Sequence, residues 1–321
     1  MKKLLFVVAL LLAVFLAACG GSSPQSSSVT PAGETGGGAQ NPIDTPTAVV
    51  LATPTSKPAP PTPTPRPTPT PAPTTAAEES KTEATPEAQP LNEDMVSVPA
   101  GPFTMGYDKS AKAKNKPAHQ VDLPAFEIDR FELTNDEFAQ FVAQTGYKTY
   151  AEQNGAKSWK DVIEGKGNHP VVYVTWDDAT AYCKWAGKRL PTEAEWEKAA
   201  RGDDARIYPW GNEFNAANGN FYEGGIRGTT AVGSFPSGAS PYGAEDMSGN
   251  VREWVEDFFL PYPGAAADAD PFFGEKNKVN RGGGWFDDEK SEVLTTYNRN
   301  AGPPGISAND DIGFRCARDA K

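Results

Sequence analysis

Thiols and imidazoles are scarce in this chain, which carries three cysteines and two histidines in 321 residues. Chemistries that need several of either are excluded. A hydrolytic triad needs a histidine beside its serine, and no GxSxG elbow is present to present one. An Fe(II) site built on histidines has only His119 and His169 to draw on. Net positive charge is missing as well. With a formal charge of −12, the chain is repelled by nucleic acid and by an anionic membrane surface. No apolar run reaches the roughly 20 residues of a spanning helix; the longest, from Leu4, is about 15. Tryptophan is absent from the first 158 residues, and all seven lie beyond them.

What is present begins with a processing signal. Lys2 and Lys3 precede the apolar segment Leu4 to Leu16, and Leu16-Ala17-Ala18-Cys19 closes it as a lipobox. Residues 1–18 therefore read as a lipoprotein signal peptide and Cys19 as the diacylated residue. The mature protein is expected outside the cytoplasm, anchored to the cell membrane through lipid at Cys19, with the chain itself soluble. Residues 19–92 cannot build a core. Ser, Gly and Ala give way to TPTSKPAPPTPTPRPTPTPAPTT and then to a Glu-rich, aromatic-free stretch, a composition that favours extended polyproline II over packing. Some 30 Pro-rich residues at about 3 Å each could hold a domain on the order of 90 Å from the bilayer. The same stretch could instead serve a Pro-recognising partner.

Residues 93–321 are long enough and aromatic enough for one substantial domain. Three threonine boxes mark helix starts. Thr134 precedes Glu137, Thr175 precedes Asp178 and Thr192 precedes Glu195 by three positions each, so every hydroxyl can cap an orphan amide while the carboxylate answers backwards. The helices are expected to end at Gly146, Gly187 and Gly202. On the first, Phe138, Phe141 and Val142 share a face. On the second, Ala179, Tyr182, Cys183 and Ala186 recur at i, i+3, i+4, i+7, which turns the Cys183 thiol inward. Val171 to Val174 reads as a buried strand and Val121 to Phe131 as another. From Ala205 onward, Gly, Asn, Asp and Pro recur every few residues and loops dominate.

The run WDDATAYCKWAGKRLPTEAEWEKAARG, residues 176–202, resembles the signature of the formylglycine-generating enzyme, or sulfatase-modifying factor, family. YPWGNEF at Tyr208, DMSGNVREW at Asp246, RGGGW at Arg281 and GFRCARD at Gly313 follow in the family's order. The resemblance implies an α+β fold related to the C-type lectin architecture, with much irregular structure, and makes Met95 to Met105 its first hairpin. It places His119 and His169 in structural pieces, KPAHQVDL and NHPVVYVTW. It also implies a disulfide between Cys183 and Cys316, the two cysteines left after Cys19 in a compartment where thiols oxidise. The alternative is a buried free pair.

Two metals follow from the same resemblance. Calcium is implied at the Asp246 and Glu253 side chains with the Gly249 and Val251 carbonyls, a hard-oxygen set that suits Ca²⁺. A second site would use Asn220 and the Phe221 carbonyl, but Gly224-Gly225-Ile226 stands where its aspartate belongs, with Glu223 as the one substitute. Active members bind copper(I) through two thiolates shortly after the GG[SG]-aromatic motif. Residues 285–300 contain no cysteine, so no copper and no formylglycine-generating oxidation is expected. The acidic run Asp287, Asp288, Glu289 is either a solvated loop or a cation or acid–base site.

By elimination, the expected role is a non-catalytic binding or scaffolding module for a peptide or protein. The groove that receives peptide in active relatives would be lined by Trp285, Phe286, Asp287, Tyr297, Asn298 and Arg299. The rival reading is a metal-dependent enzyme of the formylglycine-generating and non-haem-iron oxidoreductase superfamily with an altered active site.

Overall fold

The computed structural model describes residues 94–306 and 308–321. The expected signal peptide, Cys19 and the expected stalk lie outside the described residues. The chain enters through β1 (Met95–Val98) and β2 (Gly101–Met105), continues through β3 (His119–Leu123) and β4 (Phe126–Asp129), and then passes into α1 (Asn135–Thr145) and the short α2 (Tyr150–Gln153). Next come α3 (Trp176–Trp185) and α4 (Glu193–Arg201). After a long irregular stretch follow β5 (Arg252–Phe259), β6 (Gly274–Arg281), β7 (Asn300–Gly302), β8 (Ile312–Phe314) and β9 (Ala317–Asp319).

All three threonine boxes form. Thr134, Thr175 and Thr192 each accept from the backbone of the residue three positions on, whose carboxylate returns to the cap amide. Thr149 with Glu152 and Ser158 with Asp161 repeat the device on shorter pieces. α1 stops at Gly146, whose φ of 69° closes the last turn in the left-handed region that glycine enters without strain.

Strand pairing departs from the sequence reading in three places. β1 and β2 are not a hairpin. β1 pairs antiparallel with β4, which also pairs with β9, while β2 pairs with β3 as a separate ribbon. Gly101, at φ 129°, turns the chain out of one sheet and into the other. Val121 to Phe131 is two strands, because Pro124 lacks the N–H that would continue the ladder. Val171 to Val174 is buried but not a regular strand. Tyr173 sits at φ 59°, which breaks the extended run, and its amide donates to the Asn309 carbonyl. The loop-rich half also holds the two longest strands, β5 and β6, at the centre of a four-stranded sheet ordered β7-β6-β5-β8, with β5 and β8 parallel.

Two clusters make up most of the core. Phe138, Phe141, Trp159, Tyr182, Trp254 and Phe314 pack around the Cys183–Cys316 disulfide, which joins residues 133 apart in sequence. Val98, Phe126, Ile128, Trp196, Val255 and Val279 form the second cluster between β1, β4, α4 and the four-stranded sheet. The described residues fall in one compact unit, Ser80–Lys321.

Candidate functional site

The polar interior is built around α4, whose sequence EAEWEKAAR buries acids and bases that would ordinarily face water. Glu197 and Arg201 pair at i, i+4 over 2.7 Å with both side chains inaccessible. Arg281, at the end of β6, pairs with the other Glu197 oxygen. Arg299 grips Glu193 through two bonds of 2.6 and 2.7 Å and lies 4.0 Å over the Tyr262 ring. A fork of this kind matches a carboxylate with both donors at once. Outside the network, Arg189 pairs with Glu195 at 2.7 Å.

A second corner gathers three carboxylates against one guanidinium. Arg315 binds Glu253 through bonds of 2.7 and 2.8 Å, and the Trp196 indole donates to the same carboxylate at 2.8 Å. Glu132 accepts from the Asn250 amide and the Val251 backbone. Its pKa stands well above the usual range through burial and then through the charges of Asp246 and Glu253. Asp246, which accepts from the Gly233 amide at 2.7 Å, is pushed up to about 6, mainly by burial. Gly249 sits at φ 87°, where a Cβ would meet the Phe221 ring at 2.5 Å, so the turn carrying the expected carbonyl ligands requires glycine.

The surplus negative charge at this corner suits a hard dication. Asp246 and Glu253 would hold it with the Gly249 and Val251 carbonyls. Both Glu253 oxygens are already engaged, however, and among the described residues no group of three or more His, Cys, Asp or Glu side chains is arranged to hold a metal. The ion would therefore depend on backbone carbonyls. At the second expected position, the Asn220 side-chain oxygen is buried and unpartnered, while the Phe221 carbonyl accepts from Gly224. Glu223 accepts from the Glu289 amide there. The missing acid leaves that site incomplete.

Copper(I) does not fit. Both cysteines of the domain are spent on the buried disulfide. After the RGGGW motif, Asp287 is buried, accepts from the Gly284 amide at 2.9 Å and pairs with Arg252, which also holds Asp311 at 3.0 Å. Burial raises Asp311 to about 6. Of the acidic run, only Asp287 enters this ion cluster; Asp288 caps the short turn that follows.

The six residues expected to line one groove are not brought together as one surface. Arg299 is interior and faces a cavity beside Glu193 and Tyr262, because its charge finds Glu193 there. Tyr297 is buried and stacked on Tyr107 at 4.5 Å, and Asn298 gives its carbonyl to Arg281. Phe286 is 39 % exposed and lies over Arg252 at 4.8 Å. Trp285 is half-buried and borders a different cavity of about 220 Å³, shared with Asn135, Lys157, Lys166, Tyr173 and Arg227. The sequence reading missed this gathering of cations. Its members lie up to 70 positions apart, so no linear run of basic residues signals them. The two histidines are engaged locally, His119 with the Pro117 carbonyl and His169 with the Thr229 hydroxyl.

Residues 80–320 match the sulfatase-modifying factor enzyme 1-like domain, and the chain belongs to that family. It is 34 % identical over 283 residues to the formylglycine-generating enzyme of Bos taurus, covering 70 % of this chain and 74 % of that protein. It is 33 % identical to the inactive C-alpha-formylglycine-generating enzyme 2 of Mus musculus, covering 70 % of this chain and 86 % of the relative. Among solved structures, PvdO from Pseudomonas aeruginosa superposes with a TM-score of 0.57 at 32 % identity, over 70 % of this chain and 94 % of PvdO. The α+β fold class and the Cys183–Cys316 disulfide read from the sequence both hold.

Proposed function

We propose that this chain is a lipid-anchored, extracytoplasmic binding or scaffolding module that keeps the formylglycine-generating fold without its oxidase chemistry. One observation carries the reading. The only thiols in the domain are joined to each other in the core, and the stretch after RGGGW holds Asp287 locked to Arg252 in place of a metal-binding cysteine. A soft metal needs soft ligands, and the residues present are hard oxygen donors already satisfied by a guanidinium. Overall similarity does not separate the two kinds of relative, at 34 % identity to one named as the enzyme and 33 % to one named inactive, so the ligand chemistry carries the proposal.

Calcium, in this reading, is structural and sits at Asp246 with the Gly249 and Val251 carbonyls, beside a Glu253 carboxylate that Arg315 and Trp196 already hold. The lipid at Cys19 supplies attachment. Among the described residues no helix is long and apolar enough to cross a membrane.

The reading is tested by incubating purified protein with copper(I), oxygen, a thiol reductant as the source of the two further electrons, and a cysteine-containing sulfatase peptide, and searching for the aldehyde by mass spectrometry. The cysteine should persist. Conversion at a rate comparable to an active member of the family would remove the proposal.

A further inference from the structure

We infer that the cavity beside Trp285 is a docking pocket for an acidic side chain of a peptide, an inference that rests on the binding-module reading and gives it a ligand class. Lys157, Lys166 and Arg227 line the cavity against a single acid, Asp310. This concentration of positive charge stands in a protein whose net charge is −12. Among the described residues, Lys166 and Arg227 have no ion-pair partner; the Arg227 guanidinium lies over the Tyr222 ring at 3.9 Å. The cations are thus available to a carboxylate that enters from outside.

An independent feature narrows the ligand. Asn135 is 2 % exposed, yet it lines the cavity. Its amide nitrogen donates to the Lys166 carbonyl at 2.9 Å and the Pro170 carbonyl at 3.5 Å, which leaves the side-chain oxygen buried without a partner. A buried acceptor without a donor costs free energy unless a ligand or water supplies one. A fully deprotonated anion such as sulfate or chloride brings no donor. A peptide does, because a glutamate or aspartate carries a backbone N–H within a few bonds of its carboxylate.

The walls suit the remainder of such a residue. Tyr173 and Trp285 offer ring surface to its methylenes. Tyr173 is held in place from both sides, by its backbone N–H donating to the Asn309 carbonyl at 3.0 Å and by the Lys157 ammonium 4.8 Å above its ring. The exposed Phe286, in edge contact with Trp285 at 5.5 Å, extends the apolar surface for a flanking side chain. The volume of about 220 Å³ has room for an acidic side chain with its adjoining backbone.

The test is fluorescence anisotropy at low salt with dye-labelled, N-acetylated tetraglutamate, tetralysine as the reversed-charge control and polygalacturonate as a saccharide probe. The expected result is saturable tetraglutamate binding that weakens with added salt, no tetralysine binding, and a loss on the order of tenfold in a Lys166→Gln/Arg227→Gln variant. Both substituted side chains border solvent, and an unchanged melting temperature shows that the variant folds. Lys157→Gln, tested separately, should weaken binding in the same sense. Equal binding by the double variant, or no saturable tetraglutamate binding, overturns the inference. Preferential polygalacturonate binding lost in the same variants would overturn the peptide assignment in favour of an acidic saccharide. Absence of tetraglutamate binding without aldehyde formation removes only this inference, whereas aldehyde formation removes the binding-module reading beneath it.

Discussion

Arg315 donates to both oxygens of Glu253 and to the carbonyls of Asp129, Arg130 and Glu245, with no exposed surface of its own. The arginine of GFRC thus ties the last strands to the β4–α1 junction and the SGNVREW turn. Replacing it with leucine strands Glu253 in the core, and removal of one partner from a buried pair costs about 3–5 kcal/mol. Arg315→Leu should therefore lower the urea midpoint severely, and an Arg315→Leu/Glu253→Leu double variant should recover part of the loss. Recovery no better than the sum of the single changes would show that the two residues act apart.

Burial also sets a pH dependence at the level of single groups. Asp246, Asp257 and Asp311 each rise to about 6 in the fold, mainly through desolvation. A carboxylate with a raised folded pKa holds its proton more tightly folded than unfolded. Its contribution is complete below the ordinary carboxylate pKa of about 4 and is lost as pH rises through about 6. From these groups, metal-free protein is expected to be more stable at pH 5 than at pH 7.5. Asp257 accepts from the Glu193 amide at 2.6 Å, a bond that asparagine can retain. Asp257→Asn should flatten the slope by about 1–3 kcal/mol, measured as denaturant midpoints across that window. An unchanged slope would contradict the assignment. Calcium should raise the melting temperature most at the upper end, where Asp246 is ionised, and chelation should reverse the gain.

At the scale of elements, the helices were legible and the sheets were not. A threonine box is written within four residues, so Thr134, Thr175 and Thr192 disclose their helices without help from the rest of the chain. Thr192→Ala should cost about 1 kcal/mol, read from thermal or chemical denaturation. Strand pairing is written across the whole domain. β1 finds β4 some 30 residues on, and β4 finds β9 near the C-terminus, neither of which a local alternation of apolar residues can reveal. The buried charges escaped for a related reason: EAEWEKAAR looks like a solvated helix until Arg281 and Arg299 arrive from the other half of the chain. The disulfide is the covalent counterpart of these long-range ties. Reducing a closed loop of this length frees about 4–5 kcal/mol of denatured-state entropy in the simple model. A Cys183→Ser/Cys316→Ser variant should lose most of that amount, and reductant should then have no further effect on its melting.

At the scale of the whole molecule, charge and thiol chemistry divide the labour. The domain uses oxygen and guanidinium groups where an oxidase of this family would need sulfur, and it uses its two cysteines as a core cross-link. The missing thiolates were visible as a gap in the sequence. The cavity beside Trp285 was not, because Lys157, Lys166 and Arg227 are dispersed along the chain and meet only in the fold. Attachment through Cys19 predicts that a Cys19→Ser form leaves the membrane fraction and no longer incorporates labelled palmitate, with the folded domain unaffected. Retention in the membrane would contradict it.

On the proposed reading, the fold persists here without copper-thiolate chemistry. Mass spectrometry of a cysteine peptide after incubation with copper-loaded protein measures this directly, provided an active family member is run alongside. The cysteine should remain intact, with no stoichiometric copper retained by the protein. Tightly bound copper together with an aldehyde product would contradict the reading.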